Sequence, residues 1–368
     1  MTIPLIDLQA QYQSLRPAID DRIAAVLSEA AFIGSDAVAA FGEAFASYAG
    51  HAHAVTCGNG TDALELLMDA WEIGPGDEVI VPAMSWISTS EIVATRGARP
   101  VFVDVDPLTH CLDPDRAAAA VTDKTRAIIA VHLYGHPAPL GALRTLADQR
   151  GLYLIEDCAQ AHGARYRGRH IGTIGDAATY SFFPSKSLGA YGDGGLVGTD
   201  SAELADRVRA LANHGMPGRR HYHRYHGRNS RLDGLQAAVL LEKLPHLDAW
   251  ISAKNRLAGL YRDHLAKADL RLPMVQEDAY HGYHLFVVRS ERRDELADYL
   301  GGAGIATTVH YPTPLPLHAC YAGYGHRPEE FPEAVALSRT ALSLPMYAEL
   351  TDEQLAYVTD HVNRFFGV

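Results

Sequence analysis

The sequence predicts an α/β fold, with a large domain built on a mostly parallel sheet and a smaller C-terminal α/β domain. Three observations carry this expectation. Between Asp77 and Thr199 short apolar, β-rich runs alternate with helical runs, the pattern of strands buried on both faces. Near Trp250 the pattern changes, which divides the chain into residues 1–249 and 250–368. At 368 residues and 48% hydrophobic content there is enough apolar material for a sizeable core.

Taken in order, an extended N-terminal arm leads to packing helices over about 18–30 and 41–48. AVTCGNGTDALELLMDAW then runs from a short strand through a glycine turn into an amphipathic helix with Leu64, Leu67 and Trp71 on one face. The alternating region follows: EVIVP, SWISTSEIVATRG, PVFVDVD, DPDRAAAAV, RAIIAVHLYG, PLGALRTLADQRG, LYLIED, AATYSFF and GLVGT. A helix over about 201–213 precedes a basic segment and a further helical stretch. In the C-terminal part, YHLFVVRS and IATTVH read as strands, ERRDELADYLGGAG as a helix, and residues 332–342 and 352–366 as two late helices.

Composition narrows the function classes. A net charge of -12 argues against general nucleic-acid binding, and no apolar run approaches the roughly 20 residues of a membrane span. The N-terminus lacks a basic region followed by an apolar stretch, so no signal peptide is expected. Cys57, Cys111, Cys158 and Cys320 are scattered without a Cys-x-x-Cys pair, which fits a reducing cytoplasm.

The chemistry gathers around YSFFPSKSLGAYGDGG, residues 180–195. Lysines are scarce in this chain and arginines abundant, and only lysine can lose its proton and add to a carbonyl to form an imine. Lys186 is therefore a Schiff-base candidate, with a solvated loop lysine as the plain alternative. Gly58 to Thr61 lie at a helix N-terminus, where free N–H groups and the helix dipole favour a phosphate, although a capped helix is the commoner meaning of such a turn. Asp157 and Gln160 follow one strand and Trp86 another, at the rim where ligands of parallel sheets collect. An imine-forming lysine, an anion cradle, a carboxylate and a flat aromatic together match pyridoxal 5'-phosphate (PLP).

Arg219, Arg220, Arg224, Arg228 and Arg231 crowd a stretch that has no acidic residue between Asp206 and Asp233. That local field suits an anion; a solvated loop or a dimer contact would account for most of these side chains. His221, His223 and His226 have no carboxylate or cysteine beside them, and the arginines repel cations, so no metal is expected.

The chain resembles the DegT/DnrJ/EryC1/StrS family of nucleotide-sugar aminotransferases essentially end to end. The likeness rests on PLIDL, CGNGTDAL, GPGDEVIVPA, PVFVDVD, VHLYGHP, IEDCAQAHGA, SFFPSKSLGAYGDGG, NSRLDGLQAA and VHYPTPL. It implies the PLP-dependent transferase fold of the aspartate aminotransferase type (fold type I), working as a homodimer with shared active sites. It implies that Lys186 forms the internal aldimine and shuttles a proton, that Asp157 pairs with the ring nitrogen, that Gln160 lies near the ring hydroxyl and that Trp86 stacks on the ring. Gly60, Thr61 and Ser181 would hold the phosphate, with Asn229 reaching in from the other subunit, and Arg231, His310 and Tyr311 would face a nucleotide-linked keto sugar. L-Glutamate is the implied donor, in ping-pong alternation, and NSRLD and VHYP resemble members that aminate C3 more than those that act on C4. Relatives that dehydrate a sugar tend to carry histidine at the lysine position, which Lys186 argues against. A non-catalytic regulator would have no need of both Lys186 and Asp157. Two departures touch the pocket: Ser85-Trp86-Ile87-Ser88-Thr89 replaces a Thr-aromatic-Ile-Ala-Thr run, and Lys186-Ser187-Leu188 replaces Lys-Asn-Leu.

Overall fold

The computed structural model describes residues 1–368. Helix α1 (Leu8–Glu29) begins ten residues before the expected first helix, so the N-terminal arm is helical over most of its length. The Asp7 carboxylate caps it by accepting from Ala10 N–H at 2.8 Å. Pro17 lies inside α1 but is exposed, so the backbone bond it removes is lost where water can replace it. Helix α2 (Asp36–Ala49) follows.

A seven-stranded sheet forms the centre. Its strands are β1 (His53–Cys57), β2 (Glu78–Pro82), β3 (Arg99–Val103), β4 (Thr125–Val131), β5 (Tyr153–Asp157), β8 (Ala177–Ser181) and β9 (Gly195–Thr199); the short strands β6 (Arg165–Tyr166) and β7 (Arg169–His170) intervene in sequence. The spatial order is β1-β9-β8-β5-β4-β2-β3. Strand β9 alone runs against its neighbours, and β8, β5, β4, β2 and β3 pair in parallel. The carboxyl ends of six strands therefore share one rim, and β9 starts from that rim. Helices α3 (Gly60–Ala70), α4 (Ser88–Thr95), α5 (Pro114–Ala119), α6 (Leu140–Arg150) and α7 (Ala202–Ala212) supply the crossovers and outer layers. Both sheet faces are covered: Val79 to Val81 and Ala127 to Ala130 are fully buried, as their apolar runs require.

Helices α8 (Gly234–Lys243) and α9 (Leu247–His264) lead to a second apolar core. Leu257, Tyr261, Phe286, Leu300, Leu344 and Val358 pack there, together with Ile3 from the N-terminus. After β10 (Ala279–Tyr280) the chain continues through β11 (Phe286–Arg289), α10 (Arg293–Gly302), α11 (Pro332–Thr340), β12 (Ala341–Leu344) and α12 (Asp352–Phe366), of which α11 packs Ala334 and Leu337 into the first core. Two expectations change here. Residues 305–310 form no strand, making only the single bridges Ile3–Ile305 and Thr308–Ser343. The first late helix stops at Thr340 because Ala341 to Leu344 pair antiparallel with β11. No helix is long and apolar enough to cross a membrane.

At the rim, Glu156 is fully buried and accepts from His132 Nε2 (3.1 Å) and from the N–H groups of Gly172 (2.6 Å), Ile174 (2.7 Å) and Gly175 (2.6 Å). His132 Nδ1 accepts from Ala138 N–H at 2.9 Å, so the ring proton sits on Nε2 and is donated to Glu156. Burial alone would raise the Glu156 carboxyl, but the His132 and backbone hydrogen bonds outweigh it and hold the group below its usual range. Cys158 lies beside this pair, yet both imidazole nitrogens and both carboxylate oxygens are already spent on the chain itself. The network locks the end of β5 next to Asp157. Glu156→Ala should strand three backbone donors and His132, lowering unfolding free energy by roughly 3–5 kcal/mol, read from the urea midpoint; a change below about 1 kcal/mol would contradict this account.

Candidate active site

The rim carries a cavity of about 420 Å³, within the size range of small-molecule sites. Asn59, Gly60 and Thr61 enter it from the turn after β1, Trp86 from the loop after β2, Asp157 and Gln160 from the end of β5, and Ser181 from the end of β8. Lys186 enters from the loop joining β8 to β9, and His310 and Tyr311 close the opposite wall. Nine of the residues expected from sequence thus meet in one place. Asn229 and Arg231 do not: both are exposed and neither lines this cavity.

The turn after β1 is shaped by close backbone approach. A Cβ on Gly195 would stand 2.1 Å from the Asn59 carbonyl oxygen, and one on Gly60 would stand 2.7 Å from Ser181 Cβ, so only glycine lets these three strand ends converge. Asn59 caps α3 by accepting from Asp62 N–H at 2.8 Å, which leaves the Gly60 and Thr61 N–H groups at the helix N-terminus for an anion. Thr61 Oγ1 and Ser88 Oγ share a hydrogen bond of 2.7 Å, tying the turn to α4.

Asp157 is 7% exposed. Burial raises its proton affinity, opposed by the Ala159 N–H at 3.1 Å, by the Lys186 cation and by a long 3.4 Å contact from Thr89 Oγ1. Those contacts leave the carboxylate undersupplied with donors, and a protonated ring nitrogen would supply the missing one. Gln160 is fixed at both ends, its Oε1 accepting from Tyr134 N–H (2.7 Å) and its Nε2 donating to Tyr311 Oη (2.8 Å). Tyr134 in turn donates its hydroxyl to the His310 carbonyl, so the two walls are linked. The Trp86 ring is 57% exposed and inclined to Tyr311, with centroids 6.0 Å apart. A flat, anionic pyridine with an aldehyde therefore fits the donor set: phosphate at the helix turn, ring nitrogen at Asp157, aldehyde at Lys186.

Burial lowers the Lys186 amine to about 8, with Asp157 opposing the shift. Its loop is braced from behind by two further buried lysines. Lys254 Nζ donates to Ser187 Oγ and Lys243 Nζ to the Gly189 carbonyl, each at 2.8 Å. Neither brace was singled out from the sequence, although the scarcity of lysine that draws attention to Lys186 applies equally to them. His284, which also lines the cavity, was missed as well; a lone histidine in an apolar strand gives no signal.

The segment carrying Asn229 is tied to the phosphate turn of its own chain. Ser230 Oγ donates to Asp62 Oδ2 at 2.5 Å and accepts from Gly58 N–H at 2.9 Å, while Arg228 pairs with Glu65 and Asp69 on α3. Asn229 and Arg231 thus flank an anchored residue, yet both are exposed and neither lines the cavity of the chain that bears it.

Comparison with known proteins identifies the family. Over 364 residues the chain is 44% identical to the dTDP-3-amino-3,4,6-trideoxy-alpha-D-glucose transaminase of Streptomyces venezuelae, covering 99% of this chain and 96% of that protein. It is also 44% identical, over 369 residues covering 100% and 99% of the two chains, to a pleiotropic regulatory protein of Geobacillus stearothermophilus. The solved structure of S. venezuelae DesV in complex with a ketimine intermediate superimposes with a TM-score of 0.97 at 44% identity, covering 100% of this chain and 99% of that one. A sequence model of the DegT/DnrJ/EryC1/StrS aminotransferase family matches residues 13–363, and the chain belongs to that family.

Proposed function

We propose that this protein is a PLP-dependent aminotransferase that moves an amino group from L-glutamate to the C3 keto group of a nucleotide-linked sugar. The observation that carries the reading is the meeting of Lys186, Asp157 and the Gly60–Thr61 turn in one cavity at the strand ends. The C3 position is supported by the NSRLD and VHYP motifs and by the 3-amino product in the name of the S. venezuelae relative. An intact imine-forming lysine speaks against a dehydratase, and the lysine with its carboxylate speaks against a purely regulatory role.

When bound, PLP supplies an electron sink that stabilises the carbanion left when a proton leaves the substrate carbon. The protein's own groups do the rest. Asp157 would keep the ring nitrogen protonated, Gly60, Thr61 and Ser181 would hold the phosphate, Trp86 would pack on the ring, and Gln160 would lie near its hydroxyl. Lys186 takes and returns the proton at the reacting carbon; a value of about 8 leaves part of it unprotonated near neutrality, as a base requires. His310 and Tyr311 face the sugar. The working unit is a homodimer in which Asn229 and Arg231 enter the partner's cavity, a reading supported by their exposure and their absence from the lining of their own cavity. Three of the four cysteines are buried and none is paired, which suits a cytoplasmic setting.

Three outcomes test this reading. Glutamate should abolish the long-wavelength absorbance of the lysine-bound cofactor, and in single-turnover reactions a 3-keto nucleotide sugar, but not a 4-keto one, should restore it. Restoration by the 4-keto sugar alone would move the assignment to C4. Apo-protein mixed with PLP should form the imine with a rate that rises through pH about 8 and levels off above it, because the unprotonated amine is the reactive form; a midpoint near the ordinary lysine value would remove the argument from burial. Finally, subunit exchange between inactive Lys186→Ala and Asn229→Ala dimers should regenerate roughly a quarter of wild-type activity, since each mixed dimer keeps one intact site. No recovery after proven exchange would place Asn229 in its own chain's site.

A further inference from the structure

The segment before β11 is built in an unusual way. Tyr283 is fully buried yet has φ of +41°, a left-handed conformation that is costly for a bulky side chain. It is held there from several directions. Its ring stacks on His281 at 4.0 Å and 16°, its N–H donates to His281 Nδ1 at 2.8 Å, and Arg262 donates to its hydroxyl at 2.7 Å. On either side, Gly282 N–H donates to the Gly135 carbonyl (2.8 Å) and Leu285 N–H to the Tyr134 carbonyl (3.2 Å).

The residue this conformation presents to the cavity is His284. Its side chain is more than nine-tenths buried, at 8% exposure, and neither ring nitrogen has a hydrogen-bond partner in the chain. His284 lines the cofactor cavity beside Ser185 and Lys186. It also lines a second, smaller cavity behind the lysine, shared with Lys254 and Glu349. Burial first, and then the charges of Lys186, Lys254, His310 and His162, push the ring well below the usual histidine range. The acidic groups lining these cavities are Asp157 and Asp193 in front, and Asp7 and Glu349 behind. A neutral imidazole so placed offers one acceptor and one donor to the cavities it lines. Lys186 Nζ and Ser185 Oγ, the other polar side-chain groups shared by the two cavities, likewise make no hydrogen bond within the chain.

We propose that His284 is a positioning residue for Lys186, its unprotonated ring nitrogen accepting a hydrogen bond from Nζ whenever the lysine is not joined to the cofactor. Held this way, the amine stays over the carbon whose proton it moves in both half-reactions. The proposal rests on the transaminase reading for its catalytic consequence. Its structural content applies to the protein without cofactor. Carboxylates of the donor call for a cation, which a neutral ring does not supply, so His284 serves the lysine and not the amino acid.

The test compares His284→Leu with His284→Asn, which keeps an acceptor. In apo-protein the ammonium form of Lys186 loses an acceptor in His284→Leu, so the pH midpoint for imine formation with PLP should fall by roughly half to one unit and return toward wild type in His284→Asn. In the loaded enzyme, His284→Leu should slow the glutamate-driven and sugar-driven half-reactions about tenfold each, with KM for both substrates little changed. An unmoved midpoint overturns the proposal, and so does slowing confined to the sugar half-reaction, which would make His284 a sugar contact. Should His284→Leu fail to fold, ring-15N NMR of wild-type apo-protein decides the matter. One neutral imidazole should respond to a titration near pH 8 that disappears in Lys186→Ala, and its absence refutes the contact. A wild-type enzyme that ignores glutamate would sink the transaminase reading while leaving the apo-protein measurements intact.

Discussion

The site depends on two groups shielded from water at the rim of the sheet, the buried Asp157 carboxylate and the half-buried Lys186 amine. Burial acts on them in opposite senses, raising the acid and lowering the base, so each moves toward neutrality while their mutual attraction limits the shift. Such an arrangement needs a rigid frame, because a relaxed one would let water in and return both groups to ordinary behaviour. The frame is the parallel sheet, and the Glu156–His132 network is what fixes its rim. One residue before Asp157, four hydrogen bonds converge on a single carboxylate and tie β5 to the loop of residues 172–175.

The same logic explains the back of the Lys186 loop. Two buried lysines approach it, and the nearest carboxylate, Glu349, has one oxygen with no hydrogen-bond partner. Burial lowers Lys254 to about 7 and Lys243 to about 8, so this region carries less charge than its composition suggests. Hydrogen bonds to Ser187 and Gly189 then act mainly as geometric ties, which neutral amines can still make.

Much of this was legible in the sequence, for identifiable reasons. Parallel strands buried on both faces must be apolar throughout, so β2, β4 and β5 announce themselves. Glycines at closely packed backbones admit few alternatives, so Gly60 and Gly195 mark the turn. Residues that act from outside the local pattern were invisible. Ser230 is an ordinary serine until α3 is folded beneath it, and His284 is one histidine in an apolar run until Tyr283 turns it inward. The start of α1 was hidden by Pro17, whose cost depends on which side of the helix faces water. The end of α11 was hidden because Ala341 to Leu344 suit a helix or a strand equally, and only the partner β11 decides.

The cavity draws its walls from both halves of the chain. Asn59, Asp157 and Lys186 come from the sheet, whereas His284, His310 and Tyr311 come from the C-terminal part, and Gln160 is hydrogen-bonded to Tyr311 across the gap. The second core also buries Ile3, so the two ends of the chain are packed together. The halves are therefore not interchangeable modules. A chimera that took its cofactor-binding half from one relative and its C-terminal half from another would have to rebuild the large core, to which Leu315, Tyr321 and Leu337 contribute, as well as the seam where the substrate must be recognised.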